Sequence, residues 1–397
     1  MDKDFQSNNT NKVKALGILI YSLSGGGAER AVSHLLAYCF DNKIKVHLIL
    51  MNSTIKYDIP NEIKIHYIEK SNPNESGIIK TIKIPFLAYK YSKLLKQLEI
   101  THSLSFLTRP SFINVISSKL TSYRFKVITN ERAFPSLQYS YPSFQSSFNK
   151  RMIRLLYKKS DVVISNSHGN ANDLTENFSV PINKMKVIHN PIDLEKIDKI
   201  EALNDFFDIK KFNLITLGRL DIGKNHSMLI NAISKLNNPI LRLYIFGEGN
   251  MKKELESQIK ELKLEKQVVL AGFDPNPYKY LKKADLFIFG SNHEGFPNVL
   301  LEAMSCGLPI LSTNCQSGPS EIMELKTVEN DIMKTDYGIL VPIKNAELMA
   351  KGINYFISNK VYLDSCKASV LKRAEDFRKN KILKEYIDVI SLTDYTK

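Results

Sequence analysis

Cysteine is scarce: Cys39, Cys306, Cys315 and Cys366 are the four in 397 residues, and no two form a C-x-x-C. No zinc spacing is present. Scattered thiols without a secretion signal point to a reducing compartment, and to side chains that are buried or inert. The chain also lacks any run of 18 or more apolar residues, so no spanning helix is expected. Residues 1–12 are polar and read as a disordered tail rather than a signal peptide. No zinc-finger or RRM-like signature accompanies the basic balance, which leaves nucleic acid without a motif to bind it.

What remains is a soluble globular composition, 43% apolar and 24% charged. The length exceeds one ordinary core and predicts two domains. A net charge of +14 permits anionic partners and selects none of them. Short apolar runs alternate with longer amphipathic ones through residue 189, and the pattern restarts at Phe212. That alternation predicts two parallel sheets, each wrapped by helices. The expected division is a tail over 1–12, a first domain over 13–195, a charged linker near 194–209, a second domain over 210–375, and a terminal helix over 376–397.

One stretch concentrates chemistry: His293-Glu294-Gly295-Phe296-Pro297-Asn298-Val299-Leu300-Leu301-Glu302-Ala303-Met304-Ser305-Cys306-Gly307. Pro297 suits the first helical position, and Gly307 before Pro309 suits the stop. Glu294 then precedes a helix start, and Glu302 lies on the face of Asn298. The unpaired N–H groups around Phe296 to Val299 and the positive end of the helix dipole favour a phosphate, which Gly295 lets approach. Two carboxylates beside an anion site suit a ligand with phosphates and hydroxyls, such as a nucleotide sugar. The only Asp-x-Asp is Asp2-Lys3-Asp4, in the polar tail; none follows a strand, where a nucleotide-sugar metal site would place it. A metal-free reaction is therefore expected.

Glu294 and Glu302, with Gly-Phe-Pro behind the first, resemble the paired-glutamate motif of retaining glycosyltransferases of the GT-B fold, family 4. The resemblance implies an α/β architecture of two doubly wound Rossmann-like domains facing a central cleft, with the last helix crossing back to the first domain. Further segments match in order. Ser24-Gly25-Gly26-Gly27-Ala28-Glu29-Arg30 resembles the family's N-terminal glycine loop; it is no G-x-G-x-x-G, because Arg30 stands where the last glycine should. Leu217-Gly218-Arg219-Leu220-Asp221-Ile222-Gly223-Lys224-Asn225 resembles its Gly-Arg-Leu…Lys-Asn element, whose two cations would hold a diphosphate. Gly247 ends a strand in a phosphate- or ribose-side loop, and Phe273 marks the base-binding edge unless its ring is core. Ser317-Gly318-Pro319-Ser320-Glu321-Ile322 resembles a family element and reads equally as turn-to-helix chemistry. Many relatives have Glu-His where this chain has Glu131-Arg132.

The resemblance thus implies donor contacts at Gly26, Gly27, Arg219, Lys224, Gly247, Phe273, Glu294, Gly295, Phe296, Asn298, Val299, Leu300 and Glu302. Catalysis would fall to Glu294, Arg219 and Lys224, and acceptor contacts to Glu29, Arg109, Glu131 and Arg132. The expected activity is retaining, metal-independent transfer of a hexose or N-acetylhexosamine, from a nucleotide sugar with UDP as the default, to a lipid-linked oligosaccharide or surface polysaccharide. The expected place is the cytoplasm, peripheral to the membrane. Segments 79–98 and 144–160 are basic with apolar stripes, as in helices that lie on anionic membranes or simply pack on a core. Two other readings share these features: an epimerase or hydrolase on the same fold, and a non-catalytic donor-binding subunit of a glycan-assembly complex.

Overall fold

The computed structural model describes residues 14–72 and 75–392. The polar tail, with Asp2-Lys3-Asp4, lies outside them. The chain divides into two compact units: unit 1 takes 1–191 and 379–397, unit 2 takes 192–378.

Unit 1 is a seven-stranded sheet of β1 (Leu16–Ile20), β2 (Val46–Leu50), β3 (Lys64–Tyr67), β4 (His102–Phe106), β5 (Lys126–Glu131), β6 (Val162–Ser165) and β7 (Met185–Val187). Their order in space is β3-β2-β1-β4-β5-β6-β7, all parallel. β1, β2 and β4 are buried at every position, and β1 is a continuous apolar run. Around the sheet run α1 (Gly27–Asp41), α2 (Gly77–Ile82), α3 (Ile84–Gln97), α4 (Thr108–Ser117), α5 (Pro135–Gln138), α6 (Phe144–Leu156) and α7 (His168–Phe178).

Unit 2 opens with α8 (Leu194–Asp198), which Asp193 caps and whose Leu194 and Ile197 are buried. The expected charged linker is therefore part of this unit's core. Its sheet contains β8 (Phe212–Leu217), β9 (Leu241–Phe246), β10 (Val268–Gly272), β11 (Leu286–Phe289), β12 (Ile310–Thr313), β13 (Met333–Thr335) and β14 (Gly338–Val341). The order is β10-β9-β8-β11-β12-β14-β13. Only β13 runs antiparallel, at the edge, and its three residues carry too short a pattern to be read from sequence. The helices are α9 (His226–Leu236), α10 (Lys252–Glu261), α11 (Tyr278–Leu281), α12 (Asn298–Ser305), α13 (Pro319–Ile322), α14 (Ala346–Ser358) and α15 (Lys360–Ala374).

The unit closes on itself where Ile192 N–H donates to the Phe377 carbonyl at 2.9 Å. The chain then returns to unit 1 as α16 (Lys379–Leu392). Ile382, Leu383, Tyr386 and Ile390 bury against the layer that holds α1. Each such side chain contributes about 1.5–3 kcal/mol.

One expectation fails in unit 1. The single helix over 79–98 is two, meeting at Lys83. Pro85 has no N–H to continue the first helix and sits instead in the first turn of the second.

Candidate functional site

In unit 2 the chain order reverses at β8, which has β9 on one side and β11 on the other. Open α/β sheets bind ligands outside the carboxyl ends of strands at such a reversal. Two loops flank it, 218–225 after β8 and 290–297 after β11, and they are laced together. Asn292 N–H donates to the Gly223 carbonyl at 2.8 Å, and Asn225 Nδ2 to Asn292 Oδ1 at 3.1 Å. Across the reversal, the Lys224 ammonium is ion-paired with Glu294 Oε1. Ser291 Oγ donates to the same carboxylate oxygen at 2.8 Å. Lys224 Nζ also lies 5.6 Å from the centre of the Phe289 ring. Both charged side chains are largely shielded, 23% and 12% exposed. The lysine and the first glutamate of the motif are thus one unit of charge before any ligand arrives.

A third loop, after β12, supports the second. Thr313 Oγ1 donates to the Ser291 carbonyl at 2.6 Å, and Ser317 Oγ to the Gly295 carbonyl at 2.8 Å. Gly318 has φ +91, and a Cβ there would come 2.5 Å from Pro297 Cδ. The Ser-Gly-Pro element therefore packs under the turn into α12. Pro297 is the cap of α12, with ψ 109, and not its first residue as expected; its own side chain makes no capping hydrogen bond. Leu300 N–H is spent on the Pro297 carbonyl at 3.1 Å and its side chain is buried. Leu300 therefore turns to the core rather than to a ligand, and the turn 295–299 leads into the helix start. Phe296 is 4% exposed with its ring 5.6 Å from that of Phe377, so only its backbone faces the site. Glu302 is buried on α12.

Arg219 is 83% exposed and loosely paired with Asp221 at 3.4 Å, free to swing onto a ligand. Gly247, at φ +148, would place a Cβ 1.9 Å from the Gly218 carbonyl oxygen. It is what lets the β8 and β9 loops touch. Phe273, following β10, is 69% exposed, so its ring is not core. His226 was not expected. It is buried, its Nε2 lies 3.3 Å from the Arg219 carbonyl, and its Nδ1 has no hydrogen-bond partner. Burial lowers its pKa to about 4, so the ring is neutral and Nε2 donates to the cation-bearing loop. Burial pushes the thiols of Cys39, Cys306 and Cys315 up to about 12 and that of Cys366 to about 11, which keeps all four unreactive at neutral pH.

In unit 1, Gly26 caps α1 and Gly27 is its first residue. Glu29 folds back over that start: a Cβ on Gly26 would meet Glu29 Oε2 at 2.3 Å. A carboxylate in the first turn complements the helix dipole, so this end already carries an anion of its own. Three acceptor candidates are held by partners within unit 1. Glu131 is 1% exposed and accepts from Tyr157 Oη at 2.6 Å, Thr108 Oγ1 at 3.0 Å and Arg132 N–H at 3.0 Å. Burial raises its pKa against those three bonds. Arg109 pairs with Glu69 at 3.2 Å, and its Nε donates to the Lys80 carbonyl at 3.1 Å. Arg132 is 9% exposed, donating to Tyr386 Oη at 3.1 Å and Asn190 Oδ1 at 2.6 Å. It therefore ties β5 to α16.

Comparison with known proteins agrees along nearly the whole chain. The model of glycosyl transferases group 1 matches residues 201–382, and that of glycosyltransferase family 4 matches residues 25–196. An N-acetylgalactosamine-N,N'-diacetylbacillosaminyl-diphospho-undecaprenol 4-alpha-N-acetylgalactosaminyltransferase of Campylobacter jejuni is 41% identical over 94% of this chain and 98% of its own. The chain is a group 1 glycosyltransferase. The amylovoran biosynthesis glycosyltransferase AmsD of Erwinia amylovora is 24% identical, covering 94% of this chain and 99% of its own. Among solved structures, Anabaena HepE in complex with UDP superposes with a TM-score of 0.76 at 19% identity, over 96% of this chain and 100% of that one. The architecture is the two-domain GT-B fold.

In this glycosyltransferase, the residues that sequence reasoning overlooked are supports: Ser291, Thr313 and His226. Each is a small or neutral polar side chain that bonds a backbone carbonyl or a carboxylate of the site. Their signal in sequence is only adjacency to the charged motifs, which does not say where a hydroxyl points.

Proposed function

We propose that this glycosyltransferase transfers a hexose or N-acetylhexosamine from a UDP-sugar, with retention of anomeric configuration, to a lipid-linked oligosaccharide or surface-polysaccharide intermediate. The Lys224–Glu294 pair at the strand reversal of unit 2, beside the start of α12, carries this reading. A diphosphate seated there meets the Lys224 ammonium, the exposed Arg219 guanidinium and the positive end of a helix. These groups neutralise charge that develops on the leaving diphosphate, so the reaction needs no divalent cation. Glu302 is assigned to the ribose hydroxyls. Glu294, released from full pairing, is assigned to the sugar hydroxyls, with its charge favouring an oxocarbenium-like transition state.

No side chain is nominated as a covalent nucleophile: a front-face path lets the departing phosphate oxygen accept the acceptor's proton. The acceptor class rests on kinship, since the C. jejuni relative is named for an undecaprenyl-diphosphate acceptor and an alpha linkage. UDP is the nucleotide bound by HepE. Among the described residues no helix is long and apolar enough to cross a membrane. A lipid-borne acceptor then implies work at the inner membrane face.

The test is calorimetric titration with UDP and GDP, followed by assay with UDP-sugars and a polyprenyl-diphosphate glycan. Binding of UDP that Glu302→Ala leaves undiminished defeats the ribose assignment, and loss of turnover on chelation defeats the metal-free one. Rapid donor consumption without acceptor favours the hydrolase or epimerase reading.

A further inference from the structure

Helix α2 is Gly77-Ile78-Ile79-Lys80-Thr81-Ile82, and none of its residues is buried. Ile78 is 61% exposed, Ile79 47% and Ile82 72%. Phe86, one turn further along in α3, is 63% exposed, while the opposite face of α3 packs into the core through Leu87, Ala88, Tyr91 and Leu95. The start of α6 adjoins α2, for a Cβ on Gly77 would strike the Gln145 side chain, and there Phe144 is 76% exposed. A fold that can bury three isoleucines and two phenylalanines does so unless the surface has another partner.

The surrounding charge has one sign. α2 and α3 carry Lys80, Lys90, Lys93 and Lys96, α6 carries Lys150, Arg151 and Arg154, and none of the three contains an acid. The neighbouring carboxylates of Glu69 and Glu75 are spent on Lys83 and Arg109. Lys90 Nζ lies 5.7 Å from the Phe86 ring centre and Lys93 Nζ 4.5 Å from that of Tyr89. Apolar bodies thus stand out beside cationic heads, the arrangement of side chains at a membrane–water boundary. A protein partner's interface core would be depleted of such lysines.

We propose that this face of unit 1 seats in the headgroup region of an anionic lipid bilayer, with Ile78, Ile82, Phe86 and Phe144 entering the boundary of the acyl chains. The inference rests on the membrane-side working place proposed above and adds the surface and its mode of attachment. The isoleucines and phenylalanines supply a part that salt does not screen; the lysines and arginines supply a part that it does.

The experiment is sedimentation of the full chain with phosphatidylcholine vesicles, with and without phosphatidylglycerol, at low and high salt. The expected result is binding that requires phosphatidylglycerol, weakens with salt, and falls about a hundredfold in Ile82→Asp/Phe86→Asp. UDP affinity of that variant should stay at the wild-type value, which shows it folded and separates this surface from the donor site. Lys90→Gln/Lys93→Gln should lose salt-sensitive binding only. Failure of the wild type to bind phosphatidylglycerol vesicles overturns the proposal, as does equal binding by Ile82→Asp/Phe86→Asp. Self-association that this variant abolishes, without vesicle binding, would assign the face to a second copy and overturn it equally.

Discussion

Lys224 presents a competition whose outcome can be measured. In the ligand-free protein its ammonium belongs to Glu294, which also accepts from Ser291. A diphosphate must share or take that cation. A charge-assisted hydrogen bond to a phosphate contributes about 1.5–3 kcal/mol, so Lys224→Ala should weaken UDP binding by about 10- to 150-fold. Glu294→Gln acts in the opposite direction on the same ligand. It removes the competitor but keeps a side chain able to bond Ser291, so UDP binding should hold or tighten, by up to about tenfold, while sugar transfer falls.

The assay is titration calorimetry with UDP, which lacks the sugar and so isolates the diphosphate term, at one ionic strength. Melting curves accompany it. Lys224→Ala leaves Glu294 with a hydroxyl partner and partial access to water, so a stability loss of about 1–2 kcal/mol is expected, not unfolding. The double variant should bind UDP as weakly as Lys224→Ala alone, because without the lysine there is nothing for Glu294 to withhold. If Glu294→Gln loses UDP binding as severely as Lys224→Ala, the carboxylate is a ligand of the diphosphate side. The competition argument is then wrong.

Strands buried on both faces read clearly, because β1, β11 and β12 are continuous apolar or small-residue runs with no polar alternation to confuse them. The charged site was legible for a related reason: Arg219, Lys224 and Glu294 stand beside glycines in loops after strands, where a backbone can come close to an anion. What escaped is set by side-chain direction. Glu131 lies at the end of a strand near such loops, yet its carboxylate turns inward to Tyr157 and Thr108, which come from a distant 3-10 turn and a neighbouring helix. Leu300 belongs to the right helix end but faces the core. The break at Lys83 is signalled by Pro85 but masked by a charged and apolar periodicity that continues across it. Whether the apolar stripe of 79–98 was core or surface was not decided by sequence, since the isoleucines of α2 would look alike on a core-facing helix.

Gly247→Ala should lower stability by at least about 3 kcal/mol, read as a fall in melting temperature, because a Cβ would stand 1.9 Å from the Gly218 carbonyl oxygen at a φ of +148. Arg132→Lys should lose the two-point hold on Tyr386 and Asn190 and loosen α16, measured as faster amide exchange over 379–392, whereas unchanged exchange would mean that the arginine does not anchor the helix. His226 makes the pH dependence specific. Its folded pKa, about 4, lies below the unfolded value near 6.5, so the unfolded chain takes up the proton first as pH falls. The stability it contributes is complete above about pH 6.5 and is lost as pH drops through about 4, to a limit of about 3 kcal/mol. His47, also lowered to about 4, titrates in the same window, so the comparison must be between the wild type and His226→Gln. Replacing the ring removes the part due to the cation-bearing loop, and the variant's pH–stability curve should be flatter between pH 4 and 6.5. Superimposable curves would show that the imidazole is not held neutral against the Arg219 carbonyl. The loop's position would then have to come from Gly247 and Asn292 alone.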